Sequence, residues 1–292
     1  MEQGSSEFNR HRIFGIIGMG LMGGSYAKRL RQIGVQEIIG VDISAQVCVQ
    51  AEKDGCVDRA STDPRILRRA EVVIFCLPAA AMVSFLRQYG AVFRAHALLT
   101  DITGIKEPLV PAVRQYVRAD LDFILAHPMA GREGSGYAAS RADIFDGANY
   151  IIVRREENTA AHLRDIGHLA RALGCAHIVT VTPSVHDRYI AYTSNLPHIL
   201  AVALVNSAGL HRRAAYFTAG SFRDASRVAD INAPLWTRLL LANKENVLHE
   251  ISSFQASLQG LTQALRDGDE DALLVLLEKA GQRRREWLHE RN

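Results

Sequence analysis

The sequence predicts an α/β fold in which a doubly wound, mainly parallel sheet precedes an all-helical C-terminal domain. Three observations carry this expectation. Short β-branched runs alternate with helix-period segments through residues 1–182, as a parallel sheet covered by helices requires. A glycine-rich turn follows the first of those runs directly. After Thr182-Pro183 the strand signals nearly vanish and amphipathic segments run to the end, so residues 183–292 are expected to form the second domain.

In order, the strand candidates are Ile13 to Ile17, Glu37 to Val41, Val72 to Cys76, Ala97 to Thr100, Phe123 to Ala126, Tyr150 to Val153 and His177 to Val181. Helices are expected between them, for example over Gly20 to Gln32 and Asn158 to Leu173. The apolar stretch Ile190 to Leu210 is broken by Asn195, Pro197, His198 and Asn206, so it reads as a buried helix rather than a membrane span.

With 48% hydrophobic residues the chain can fill real cores. Lys plus Arg number 34 against 31 Asp plus Glu, and a formal charge of +3 is too slight for a nucleic-acid-binding protein. The dense cluster Arg283-Arg284-Arg285 is flanked by Glu278 and Glu286 and reads as a solvated helix face. Cys48, Cys56, Cys76 and Cys175 lack paired spacing, which predicts free thiols and no metal site. Gly4-Ser5-Ser6-Glu7-Phe8 reads as a flexible leader, not a signal segment, so a soluble cytoplasmic protein without a membrane partner is expected.

Gly18-Met19-Gly20-Leu21-Met22-Gly23 stands between a strand and a helix, the context that turns a GxGxxG pattern into a dinucleotide fingerprint and makes the first domain Rossmann-like. Gly18 permits the tight turn, Gly20 admits a pyrophosphate and Gly23 lets helix and strand pack closely. Asp42 closes the second strand, where a carboxylate accepts both ribose hydroxyls and repels a 2′-phosphate. With no arginine at Ile43 or Ser44, the expected cofactor is NAD rather than NADP.

A nicotinamide enzyme that oxidises an alcohol needs a base for the hydroxyl proton. His127, just past a strand in His127-Pro128-Met129-Ala130-Gly131-Arg132-Glu133-Gly134-Ser135-Gly136, lies at the ligand edge of such a sheet. A loop-packing histidine is the competing reading. In an uninterrupted α-helix, at about 100° per residue, Asp187, Ser194 and His198 fall within roughly 40° of one face. Such a polar stripe either faces a substrate or forms a self-satisfied network at a kink caused by Pro197. Farther on, Gly220-Ser221-Phe222-Arg223-Asp224-Ala225-Ser226-Arg227 precedes Trp236. Arg227 is a fork suited to a carboxylate, unless Asp224 simply pairs with it.

From Arg12 to about Phe254, the order of these blocks resembles the prephenate and arogenate dehydrogenase family of tyrosine biosynthesis. The resemblance rests on Gly18 to Gly23, the His127-Pro128-Met129-Ala130-Gly131 block with Ser135-Gly136, His186-Asp187 with Ser194-Asn195-Leu196-Pro197-His198, and Gly220 to Arg227 with Trp236. It implies NAD-dependent oxidative decarboxylation of prephenate to 4-hydroxyphenylpyruvate by a homodimer, with arogenate as the alternative substrate. It further implies that His127 accepts the hydroxyl proton, Arg227 binds a substrate carboxylate, and His198 lines the pocket with Asp187 and Ser194 as its support. Asp224 would orient Arg227 and Trp236 would wall the pocket.

Two positions depart from the family pattern. Relatives often carry Asp-x-x-Ser-x-Lys, whereas this chain reads Asp101-Ile102-Thr103-Gly104-Ile105-Lys106, so that either Thr103 supplies the missing hydroxyl or a water fills the gap. Arg132 stands where some relatives have a smaller residue, and either adds charge near the substrate or only covers the pocket mouth. The fingerprint would also suit a β-hydroxyacid dehydrogenase, but Asn243-Lys244-Glu245-Asn246 only superficially resembles the lysine helix of that family. A catalytically silent dinucleotide sensor is the other alternative, and the joint presence of His127, His198 and Arg227 argues against it.

Overall fold

The computed structural model describes residues 7–131, 134–207 and 212–289, so residues 4–6 of the leader stretch lie outside it. The chain divides into two compact units, Met1–Asp187 and Arg188–Asn292. The sequence places the division before Pro183, at the start of a helix that runs through the observed boundary.

The first unit holds an eight-stranded sheet: β1 (Ile13–Ile17), β2 (Glu37–Val41), β3 (Arg59–Ser61), β4 (Val72–Phe75), β5 (Leu98–Asp101), β6 (Asp122–Pro128), β7 (Asn149–Val153) and β8 (His177–Val181). Their order is β3-β2-β1-β4-β5-β6-β7-β8, and only the β6–β7 pair is antiparallel. Strand β3 escapes the sequence reading because Arg59-Ala60-Ser61 is short and lacks a β-branched run. After β3 the chain crosses β1 to enter β4. This reversal opens a crevice beyond the carboxyl ends of β1 and β4, the place where doubly wound sheets bind ligands.

Period-two alternation sends side chains to two cores. Phe14, Ile16, Val72 and Ile74 pack on one face with Tyr26 and Leu30 of α1 (Leu21–Gln32) and Ile166, Leu169 and Leu173 of a helix over Ala160–Leu173. Ile17, Val73 and Phe75 pack on the other with Met82 and Leu86 of a helix over Ala79–Tyr89. Each such side chain, fully buried, contributes about 1.5–3 kcal/mol. The Ala160–Leu173 helix starts at Thr159, whose hydroxyl accepts the His162 amide at 3.2 Å, and stops at Gly174 in the left-handed region.

The second unit is helical among the described residues, with major helices over Leu196–Val205, Ala233–Ala242, Lys244–Asp267 and Glu270–His289. The last two leave Leu258, Leu265, Leu274, Val275 and Leu277 more than half exposed. No helix among the described residues is long and apolar enough to cross a membrane.

Candidate active site

The glycine-rich turn carries the geometry that its sequence predicts. Gly18 has φ +87°, and a Cβ there would lie 2.6 Å from the Cys76 carbonyl oxygen. At Gly23 a Cβ would sit 1.9 Å from the Gly18 carbonyl, so only glycine lets α1 start this close to β1. A Cβ on Gly20, by contrast, meets nothing within 4 Å. That open side lies at the N-terminus of α1, which no side chain caps, so its amides are available to an anion.

Asp42 follows β2 and does more than the sequence foretells. Its Oδ2 accepts the Met19 amide at 2.7 Å and its Oδ1 the Ser44 amide at 2.9 Å, so the carboxylate braces the turn. Each oxygen keeps a second lone pair for a ribose hydroxyl. The open turn, the uncapped helix and this carboxylate together fit a dinucleotide. Met19 itself is fully buried, and Leu21 and Met22 begin α1.

A buried polar network lies at the ends of β5 and β6. Lys106 is wholly enclosed, and its Nζ donates to Asp101 Oδ2 at 2.6 Å, Thr103 Oγ1 at 3.1 Å and the Ala126 carbonyl at 2.5 Å. All three ammonium protons are thereby used. Asp101 Oδ1 accepts the Ala126 amide at 3.0 Å, tying the β5 end to β6. Burial pushes the Lys106 pKa down, and the neighbouring Asp101 charge pulls it back up.

Thr103 does not supply the missing serine hydroxyl as the sequence led us to expect. Its hydroxyl proton goes to Asp101 Oδ2 in a short bond and its oxygen faces Lys106, so the side chain is spent inside the network. The sequence shows a hydroxyl two residues after Asp101 but not the enclosed ammonium that turns it inward.

His127 stands one residue beyond Ala126, part-buried, with Nδ1 at 3.0 Å from His186 Nε2. His186 Nδ1 in turn lies 2.7 Å from Asp187 Oδ1. Asp187 also accepts the amides of Lys106 at 2.8 Å and Glu107 at 2.8 Å. Burial, the Lys106 ammonium and His186 hold the His127 pKa well below the ordinary 6.5, so its ring is neutral and can take a proton. Asp187 therefore anchors His186 and the loop after β5, rather than acting chiefly as support for His198. His186 was visible as a motif partner of Asp187, yet nothing in the spacing shows that it reaches His127.

In the second unit the polar stripe expected of a regular helix is interrupted. A helix over Pro183–Ile190 passes into a π-turn, Ala191–Asn195, in which the Leu196 amide donates to the Ala191 carbonyl. Pro197 follows at once, and a proline that lacks N–H and crowds the carbonyl four residues back accounts for the change of pitch. The 100° spacing between Asp187, Ser194 and His198 thus does not hold. Ser194 supports His198 through its carbonyl, which accepts the His198 Nδ1 proton at 2.8 Å. The His198 ring stacks on Trp236 with centroids 3.7 Å apart and planes 29° from parallel.

Arg227 and Asp224 are both exposed, and no ion pair joins them among the described residues, contrary to the expected orienting role of Asp224. Between them the chain passes from the helix Gly220–Ser226 into a 3-10 turn at Arg227–Ala229, where the α-helical pairing geometry ends. Arg132 lies outside the described residues. Lys244 is exposed beside Glu245 at 3.6 Å, while Asn243 is buried and donates to Asn195 at 3.0 Å, an arrangement that gives no enclosed catalytic lysine.

Residues 26–179 match the nucleotide-binding domain of prephenate dehydrogenase, and residues 182–279 match its dimerization domain. The chain belongs to the prephenate dehydrogenase family. Within it, the chain is 30% identical over 265 residues to the prephenate dehydrogenase of Bacillus subtilis (strain 168), covering 88% of this chain and 71% of that protein. The crystal structure of the A. aeolicus prephenate dehydrogenase in complex with hydroxyphenyl propionate and NAD+ superposes with a TM-score of 0.84 at 26% identity, over 94% of this chain and 98% of that one. A Synechocystis arogenate dehydrogenase also reaches 0.84 at 27% identity, over 94% and 99%. Membership in the prephenate dehydrogenase family removes the hydroxyacid dehydrogenase reading.

Proposed function

We propose that the protein catalyses the NAD-dependent oxidative decarboxylation of prephenate to 4-hydroxyphenylpyruvate. The observation that carries the reading is His127: an imidazole at the carboxyl edge of the sheet with its pKa held down, braced at Nδ1 and with no hydrogen-bond partner at Nε2 among the described residues. Family membership and the fit of the glycine turn and Asp42 to a dinucleotide support it.

Bound NAD supplies the acceptor for the hydride leaving ring C4. His127 Nε2 takes the proton of the C4 hydroxyl, so that the carbonyl forms as the ring carboxylate departs as carbon dioxide and the ring becomes aromatic. Asp42 holds the adenosine ribose, and the α1 amides face the pyrophosphate. Arg227 binds a carboxylate of the substrate through its guanidinium fork. His198, flattened on Trp236, presents its ring edge to the side chain of the substrate. Arogenate, which differs there by an amino group, is the second substrate to test.

The exposed leucines on the Lys244–Asp267 and Glu270–His289 helices, in a region matching a dimerization domain, support assembly as a homodimer. Nothing in the reading calls for a membrane or nucleic-acid partner, and a cytoplasmic location accords with a soluble biosynthetic enzyme.

The test is to incubate purified protein with NAD and either prephenate or arogenate, following NADH and the aromatic product. NADH with 4-hydroxyphenylpyruvate from prephenate is expected. NADH from arogenate alone would move the assignment to tyrosine formation, and NAD binding without NADH from either would support the sensor reading.

A further inference from the structure

We propose that His186, anchored by Asp187, is a positioning residue that decides which nitrogen of His127 carries the proton. This rests on the reading of His127 as the base. The argument starts from donors that cannot change: the backbone amides of Lys106 and Glu107, which occupy Asp187 Oδ1 and Oδ2 at 2.8 Å each. A carboxylate that receives both amides is an acceptor only, so the contact at 2.7 Å requires the proton on His186 Nδ1. The His186 side chain is wholly enclosed. With its one ring proton on Nδ1, His186 offers a lone pair at Nε2, and His127 Nδ1, 3.0 Å away, donates to it. His127 Nε2 is left bare.

Each bond in the series fixes the next, and the result opposes the habit of free imidazole, which prefers its proton on Nε2. The ring planes of His127 and His186 are 56° apart with centroids at 5.2 Å, so the pair meets edge to edge rather than stacking. Among the described residues, the charged groups near His127 are Lys106, held by Asp101, on the β5 loop and Asp187 behind His186 on the helix that begins at Pro183. When His127 Nε2 takes the substrate proton, its Nδ1–H bond can break as an Nε2–H bond forms on His186. The positive charge then rests beside the Asp187 carboxylate.

The first test needs neither cofactor nor substrate: protein labelled with 15N-histidine, at mildly alkaline pH, is examined through two-bond proton–nitrogen couplings. Both His127 and His186 are expected as the Nδ1–H form. Finding His127 as the Nε2–H form, or His186 doubly protonated, overturns the proposal. In His186→Phe the His127 proton should move to Nε2, with kcat for prephenate falling by about 10-fold or more while KM and NAD affinity stay within about twofold. His186→Gln, which keeps an acceptor oxygen near the Nε2 position, should restore the Nδ1–H form and most of kcat. A His186→Phe variant with the wild-type tautomer and kcat refutes the positioning role. If the tautomers are as expected but prephenate is not turned over, the positioning stands and the substrate assignment falls.

Discussion

His127 is positioned by a strand that brings it to the sheet edge and by a histidine at its Nδ1, while burial first and the nearby Lys106 ammonium second hold its pKa down. If it is the base, His127→Asn should leave folding and NAD binding intact and lower kcat by about 100-fold or more, as measured by NADH formation at saturating prephenate. The proposed role of Arg227 is in substrate binding instead. Arg227→Ala should raise KM for prephenate by about 10-fold or more, the loss of one charged hydrogen bond, with NAD affinity unchanged in a calorimetric titration. Asp42 braces the turn and, in the proposed reading, would also hold the ribose. Asp42→Ala should therefore weaken both dinucleotides but NAD more than NADP, and an unaltered ratio of dissociation constants would place the ribose contact elsewhere.

The loop between β5 and the helix over Val110–Tyr116 is held by the Lys106–Asp101 pair inside the protein. Lys106→Met leaves the Asp101 carboxylate enclosed without its counter-charge, and chemical denaturation should show a loss of about 3–5 kcal/mol. A full retention of stability would mean that Thr103 and the Ala126 amide suffice for Asp101. Elements of this kind divide the legible from the hidden. Strands such as Ile13–Ile17 and His177–Val181 were readable because β-branched runs declare a strand wherever they lie, and the glycine turn because only one backbone path fits it. The inward turn of Thr103, the π-turn before Pro197 and the lack of an Asp224–Arg227 ion pair among the described residues depend on neighbours far away in sequence or on a local change of pitch. Helical periodicity assumes regularity and so could not foresee the π-turn.

Across the whole chain, composition and alternation made both units visible, because a parallel sheet needs apolar runs and covering helices while a helical unit needs neither strand nor turn signals. The chemistry was legible as a set of residues but not as a circuit: His127 and Asp187 stood out, while the His186 bridge between them required the fold. The exposed leucines of the last two helices predict a dimer by sedimentation at micromolar concentration, and a monomeric mass there would count against that assembly. The most direct test of the central claim is the pH dependence of kcat with prephenate. A base whose pKa is held down keeps its lone pair as pH falls, so the rate should stay level through the ordinary histidine value of 6.5 and decline only at lower pH. A decline centred at or above 6.5 would contradict the account, because the group responsible would then be a histidine that the Lys106 network does not govern.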